Sequence, residues 1–206
     1  MTIKNKLFFV CTANRFRSVM AEHIMKALLT ENPIAGLIPD NISSAGVLPD
    51  AVWEKFQKFL KINSTSTLRE EYYGLPALRD AIDCLLKKGQ DVSSQTSRPL
   101  RAPLAKEARL IITMQQVHMD ELLKRYPFLD GKIISMRELS RETSGEHRLY
   151  LEESFPKAFF DLDDPQFVAY DEEYTERVYN EIHSCLKTAL PYIRNAFSST
   201  CCDKKE

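Results

Sequence analysis

A chain of 206 residues, 44% hydrophobic and 28% charged, is enough for one globular domain with a buried core and some appended segments. Its net charge of −1 supplies no basic field for nucleic acid or an anionic membrane, and no apolar run reaches the length of a membrane span. The start, MTIKNKLFFVCT, has too short an apolar stretch for a signal peptide, and Cys11, Cys84, Cys185, Cys201 and Cys202 show no metal-binding spacing, so free thiols in a cytoplasmic protein are expected.

The first predicted element is a strand over 6–10 (KLFFV). A helical pattern follows with Met20, Ile24, Ala27 and Leu28 on one face, then a second strand over 42–47 (ISSAGV). Residues 50–61 place Val52, Phe56, Phe59 and Leu60 on one helical face, and 75–89 (LPALRDAIDCLLKKG) reads as a helix stopped by glycine. A buried strand over 109–114 (RLIITM) leads into a helix over 115–127. A fourth strand over 132–136 (KIISM) and a long helix over 170–193, bent at Pro191, complete the pattern. Strands alternating with helices predict a parallel α/β sheet covered on both faces, with ligands at the carboxyl ends of the strands, where Cys11 lies. Residues 1–206 read as a single domain with two aperiodic insertions, about 62–74 and 137–158, and a frayed polar tail over 198–206.

The stretch LFFVCTANRFRSVM carries the chemistry. A strand-loop-helix junction aims backbone N–H groups at one spot, and the helix dipole adds positive potential, so an anion such as phosphate is held there. A thiol at the same spot is held partly as the nucleophilic thiolate. Arg17 offers a planar fork for two phosphoryl oxygens, the Ser18 hydroxyl can bond the sulfur, and Asn14 tolerates the left-handed backbone of a tight loop. Each feature also has a plainer reading: a cysteine at a strand end is commonly a small core residue, and Arg-Ser is commonly a helix start. Further on, FFDLDDPQF (159–167) puts Asp163 and Asp164 before Pro165, either a simple turn or a source of the proton that a leaving oxygen needs.

Together these features resemble the low-molecular-weight protein tyrosine phosphatase family, whose phosphate loop is Cys-x5-Arg-Ser after the first strand and whose acid is the aspartate of an Asp-Pro pair. Asn14, Met20-Ala21-Glu22, Ser44-Ala45-Gly46, Ser97-Arg98 and TMQQVHMDELLKRYP also fit the family's order, over roughly 5–46 and 76–195. The resemblance implies a flavodoxin-like fold with strand order 2-1-3-4. It also implies catalysis by Cys11, Arg17 and Asp164, and phosphate held by Thr12, Ala13, Asn14, Arg15, Phe16, Arg17 and Ser18. Asn14, Ser18 and Ser44 would support the loop, Ser44 by bracing Asn14, and no metal or cofactor is needed. The implied substrate is a phosphotyrosyl protein or small phosphoester.

Phe16 stands where many members carry a second, protective cysteine, and Arg15 occupies a rim position where it would repel a phosphoguanidinium. Trp53, Tyr72, Tyr73 and Phe167 are candidate walls for an aromatic substrate, with a core position equally open to Trp53. His23, His118, His147 and His183 have no role the sequence can argue. Segment 62–74 either shapes the pocket or is a solvated excursion. Competing readings are a phosphate-binding regulatory module without turnover, an arginine phosphatase, and an arsenate reductase, the last opposed by the lack of two cysteines after the third strand.

Overall fold

The structure, a computed structural model, describes residues 5–50, 52–54, 73–144 and 172–198. Four parallel strands form one sheet in the order β2-β1-β3-β4: β1 Lys6–Cys11, β2 Ile42–Gly46, β3 Ala108–Thr113 and β4 Ile133–Ser135. The expected fold class and strand order are both borne out.

Leu7, Phe8, Phe9 and Val10 are all fully buried, because β1 is a central strand with helices on both faces. The period of two divides them. Leu7, Phe9 and Cys11 join one core with α1 (Arg17–Glu31), α2 (Arg79–Lys87), α6 (Glu172–Thr188) and α7 (Leu190–Ser198). Phe8 and Val10 join a second core with Ala105 of α3 (Ala102–Glu107) and Leu122 of α4 (Gln116–Arg125). In register, Cys11 lies beside Gly46 of β2, and Val10 beside Thr113 of β3, so the nucleophile candidate emerges in the middle of the sheet's carboxyl edge.

Three boundaries differ from the sequence reading. The helix predicted over 75–89 begins only at Arg79. Pro76 holds its predecessor extended, and 75–78 instead forms a strap, with Pro76 bridged to Thr96 and the Leu78 N–H donating to Arg15 O at 2.8 Å. The long C-terminal helix is two helices, broken at Ala189. Pro191 has no N–H and would clash one turn back, so α6 ends and Pro191 becomes the second residue of α7. The aperiodic stretch predicted over 137–158 opens as helix α5 (Met136–Ser144), which buries Met136, Leu139 and Ser140.

Its start is a capping box that the sequence spells as Ser-x-x-Glu. Ser135 Oγ accepts from the Glu138 N–H at 3.2 Å while Glu138 Oε2 accepts from the Ser135 N–H at 3.0 Å. Trp53 is buried. No helix of the described residues is long and apolar enough to cross a membrane. Ser135→Ala is expected to cost about 1 kcal/mol in urea unfolding, and Glu138→Ala added to it should cost much less than on its own; additive losses would show the two bonds to be independent.

Candidate active site

The last residue of β1 and the first of α1 are separated by only five residues, so the chain must reverse within residues 12–16. Asn14 makes this possible with φ +55°, the only positive φ among described non-glycine residues. Its side chain closes the turn: Nδ2 donates to Ser18 Oγ at 3.1 Å, and Oδ1 accepts from the Arg98 N–H at 3.0 Å. Ser18 Oγ lies 3.0 Å from Cys11 Sγ, all three side chains being buried. Asn14 occupies one lone pair of Ser18, so the hydroxyl can either accept from the Cys11 S–H or donate to the sulfur, and it is placed to donate whenever the sulfur is an anion. Phe16 precedes α1 without any capping side-chain bond, which leaves the first amides of a 15-residue helix facing the loop. Arg17, its first residue, is half-buried at the same mouth.

The loop is gripped by the segments around it. Arg15 Nε donates to Pro76 O at 2.8 Å. The Tyr73 hydroxyl donates to Thr12 O at 3.3 Å, over a glycine that leaves the needed space: a Cβ on Gly46 would lie 2.5 Å from Tyr73 Cε1 and 2.9 Å from Thr12 O. Phe16 is buried, its ring stacked on Tyr174 of α6 with centroids 6.3 Å apart.

Ser44 does not brace Asn14 directly. Its carbonyl accepts from Arg98 Nε at 3.0 Å, and Arg98 in turn holds Asn14 through its N–H, so the two are joined through Arg98. The Ser44 hydroxyl instead donates to Glu22 Oε2 at 2.6 Å. Glu22 is a buried carboxylate that also receives Lys26 Nζ at 2.6 Å and Gln95 Nε2 at 2.9 Å. Burial raises its pKa, but the bonds from Lys26 and Ser44 outweigh it, and Glu22 is held below the usual carboxylate value.

The sequence reading gave His118 no role. It is fully buried on the first turn of α4, with Nε2 2.8 Å from Thr12 Oγ1. Burial and the nearby Arg17 charge push its pKa well below the ordinary value. No motif announces it; the signal available was a histidine three residues into a helix at the carboxyl end of the strand neighbouring β1. His23 meets Gln95 Oε1 at 2.9 Å, and His183 stacks on Tyr179. Cys84 and Cys185 are buried away from the loop, bonding Glu176 and the Met136 carbonyl; burial and then Glu176 push the Cys84 thiol up to about 11, the opposite of a reactive thiolate. Tyr72, His147, Asp163, Asp164 and Phe167 lie outside the described residues, as do most of 62–74 and 145–158 and all of 199–206.

Comparison with known proteins agrees with this geometry. The family model described as low molecular weight phosphotyrosine protein phosphatase matches residues 6–78. A crystal structure of a low molecular weight protein tyrosine phosphatase from T. tengcongensis is 24% identical, with 91% of this chain and 98% of that chain covered and a TM-score of 0.60. A solution structure of such a phosphatase from Bacillus subtilis is 19% identical (92% and 97% covered, TM-score 0.61). The YwlE arginine phosphatase from Geobacillus stearothermophilus is 21% identical (93% and 94% covered, TM-score 0.59). No curated protein sequence matches the chain. The fold and the family resemblance expected from the sequence are thus both borne out.

The depressed His118 and His23 set a pH dependence of stability. Burial lowers the His23 pKa as its largest influence, partly offset by Glu22, so both rings bind protons less readily folded than unfolded. The stability this represents is present above the ordinary value of 6.5 and is lost as pH falls below it. Tm should fall between about pH 7.5 and about pH 5.5, a range above the ordinary carboxylate values, and His118→Phe should flatten that fall. An unchanged slope in the variant would rule out His118 as its source.

Proposed function

We propose, from a phosphate loop that the low molecular weight phosphotyrosine protein phosphatase model covers, that this chain hydrolyses phosphomonoesters through a cysteinyl-phosphate on Cys11. The observation that carries the reading is the Cys11 sulfur, 3.0 Å from a Ser18 hydroxyl that Asn14 holds in place, at the uncapped mouth of α1. The thiolate attacks phosphorus in line, the S–P bond forming as the P–O bond to the leaving group breaks. Arg17 and the amides of residues 12–18 hold the equatorial oxygens as charge builds on them. Asp164 protonates the leaving oxygen, then takes a proton from the water that displaces the thiolate from phosphorus. The Ser18 hydroxyl stabilises the sulfur anion as it departs.

The favoured substrate is a phosphotyrosyl protein, with small phosphoesters also accepted, in a cytoplasmic setting. Some similar structures are arginine phosphatases. Arg15 argues against that substrate here, because its half-buried cation sits at the loop's rim, where a phosphoguanidinium would bring a second positive charge. The described end of segment 62–74 supports a pocket-shaping role, since Tyr73 lies on the Thr12 carbonyl and the Gly74 N–H donates to Ser97 O.

Wild type should hydrolyse p-nitrophenyl phosphate and phosphotyrosyl peptides in preference to phosphoarginine. Cys11→Ser should abolish turnover while still binding vanadate, because Arg17 and the loop amides do not depend on the thiol; a Cys11→Ser variant turning over at the wild-type rate would remove Cys11 from the mechanism. Asp164→Asn should lower kcat by roughly 10²-fold on substrates with poor leaving groups and less on good ones. A larger loss from Asp163→Asn would move the acid to that neighbour.

A further inference from the structure

Thr12, the residue after the nucleophile, is held at two points by distant parts of the chain. Its carbonyl accepts from Tyr73, and its hydroxyl meets His118 Nε2 at 2.8 Å. The two side chains of the second contact are 106 residues apart and both buried. His118 sits at the third position of α4, a helix whose N-terminal end follows β3, and β3 pairs directly with β1. This bond therefore ties the sheet's next helix to the peptide units that follow Cys11.

The bond is not what packing alone would select. His118 Nδ1 is buried and, among the described residues, no group bonds to it. If Nδ1 carries the proton, a buried N–H is left bare beside the Arg17 charge. If Nε2 carries it, the Thr12 hydroxyl has lost its acceptor. Either tautomer leaves one buried donor without a partner, which is costly. A phenyl ring fills nearly the same volume without that cost. A side chain that fits the core worse than its apolar counterpart, and whose one bond is to the residue beside the nucleophile, points to the loop as its purpose.

We propose that His118 is a positioning residue of the phosphate site: through Thr12 it fixes the peptide units after Cys11 so that their N–H groups converge on the phosphoryl oxygens. The inference rests on the reading of Cys11 as the phosphate-site nucleophile. His118 touches no substrate and transfers no proton. Its effect falls on an anion gripped by several amides at once, so it is greater for vanadate, which takes the five-coordinate geometry of the transition state, than for phosphate.

The test compares His118→Phe, His118→Gln, Thr12→Val and the His118→Phe/Thr12→Val double variant with wild type. Each is measured for Tm, for the Ki of vanadate and of inorganic phosphate, and for kcat and KM on p-nitrophenyl phosphate. A lost positioning bond predicts a vanadate Ki raised about 10-fold in His118→Phe and in Thr12→Val. The phosphate Ki should rise less, and Tm should be unchanged or higher at neutral pH in His118→Phe. The double variant should be no worse than either single one. Glutamine places an amide N–H near the position of Nε2, so His118→Gln should recover much of the loss. A purely structural histidine gives the opposite: a lower Tm in His118→Phe with vanadate and phosphate Ki at wild-type values. That result, or losses that add in the double variant, overturns the proposal. Should His118→Phe fail to fold, Thr12→Val and His118→Gln decide by the same Ki comparison. Absent wild-type turnover with vanadate binding intact counts against the phosphatase reading alone, and the vanadate comparison still decides His118.

Discussion

The site rests on a single backbone reversal. β1 must deliver a sulfur, and α1 must start after only five intervening residues, with its amides turned back toward that sulfur. Only a residue with positive φ completes the turn, and Asn14 supplies both the conformation and the bonds that hold it. The same side chain holds Ser18, whose hydroxyl meets the Cys11 sulfur. Beneath it, Arg98 connects Asn14 to Ser44, and Ser44 connects to the buried Glu22, Gln95 and Lys26. A carboxylate can be buried under an anion site only because these donors satisfy it, which keeps its charge out of the loop's field.

The sheet supplies the rigidity that this reversal needs. Leu7 and Phe9 on one face of β1, and Phe8 and Val10 on the other, anchor the strand in two cores. The loop it carries is then bracketed on both sides: Phe16 stacks on Tyr174 of α6, and Thr12 meets His118 of α4. The position that many members of the resembled family give to a second cysteine is here a packing residue.

What could be read from the sequence was whatever is local or periodic. The apolar run of KLFFV, the helical spacing that follows it, and the offset from Cys11 to Arg17 and Ser18 are short-range patterns; they led to a parallel α/β sheet and to the loop, while the strand order came from the family resemblance those motifs carry. Helix α5 was legible too, in the Ser135–Glu138 capping box, but its short apolar stripe hid it. The strap over 75–78 was read as helix because it runs into the helical spacing of Leu78, Ile82 and Leu85; tertiary bonds to Arg15 and Thr96 decided otherwise. His118, Gln95 and the route from Ser44 to Asn14 were not legible at all. Their roles depend on which residues meet across more than fifty positions of chain, and no local pattern encodes that. Asp164 remains an inference from the Asp-Pro pair, outside the described residues.

The straps on the loop couple anion binding to the folding of the whole domain. Residues 11–18 make their supporting contacts with residues 46, 73, 76, 98, 118 and 174, and most of these are separated in sequence by far more than a local loop. A chain that has formed only β1, α1 and β2 has the sequence motif but not the concave cradle, because α4, α6 and the strap have yet to close around it. The cradle is therefore a late product of folding, formed after the long-range loops have closed. An oxyanion bound there would recognise the completed domain rather than a local segment, so on the proposed reading inorganic phosphate would be a ligand of the native state as a whole, and the population of folded chain would be linked to the phosphate around it.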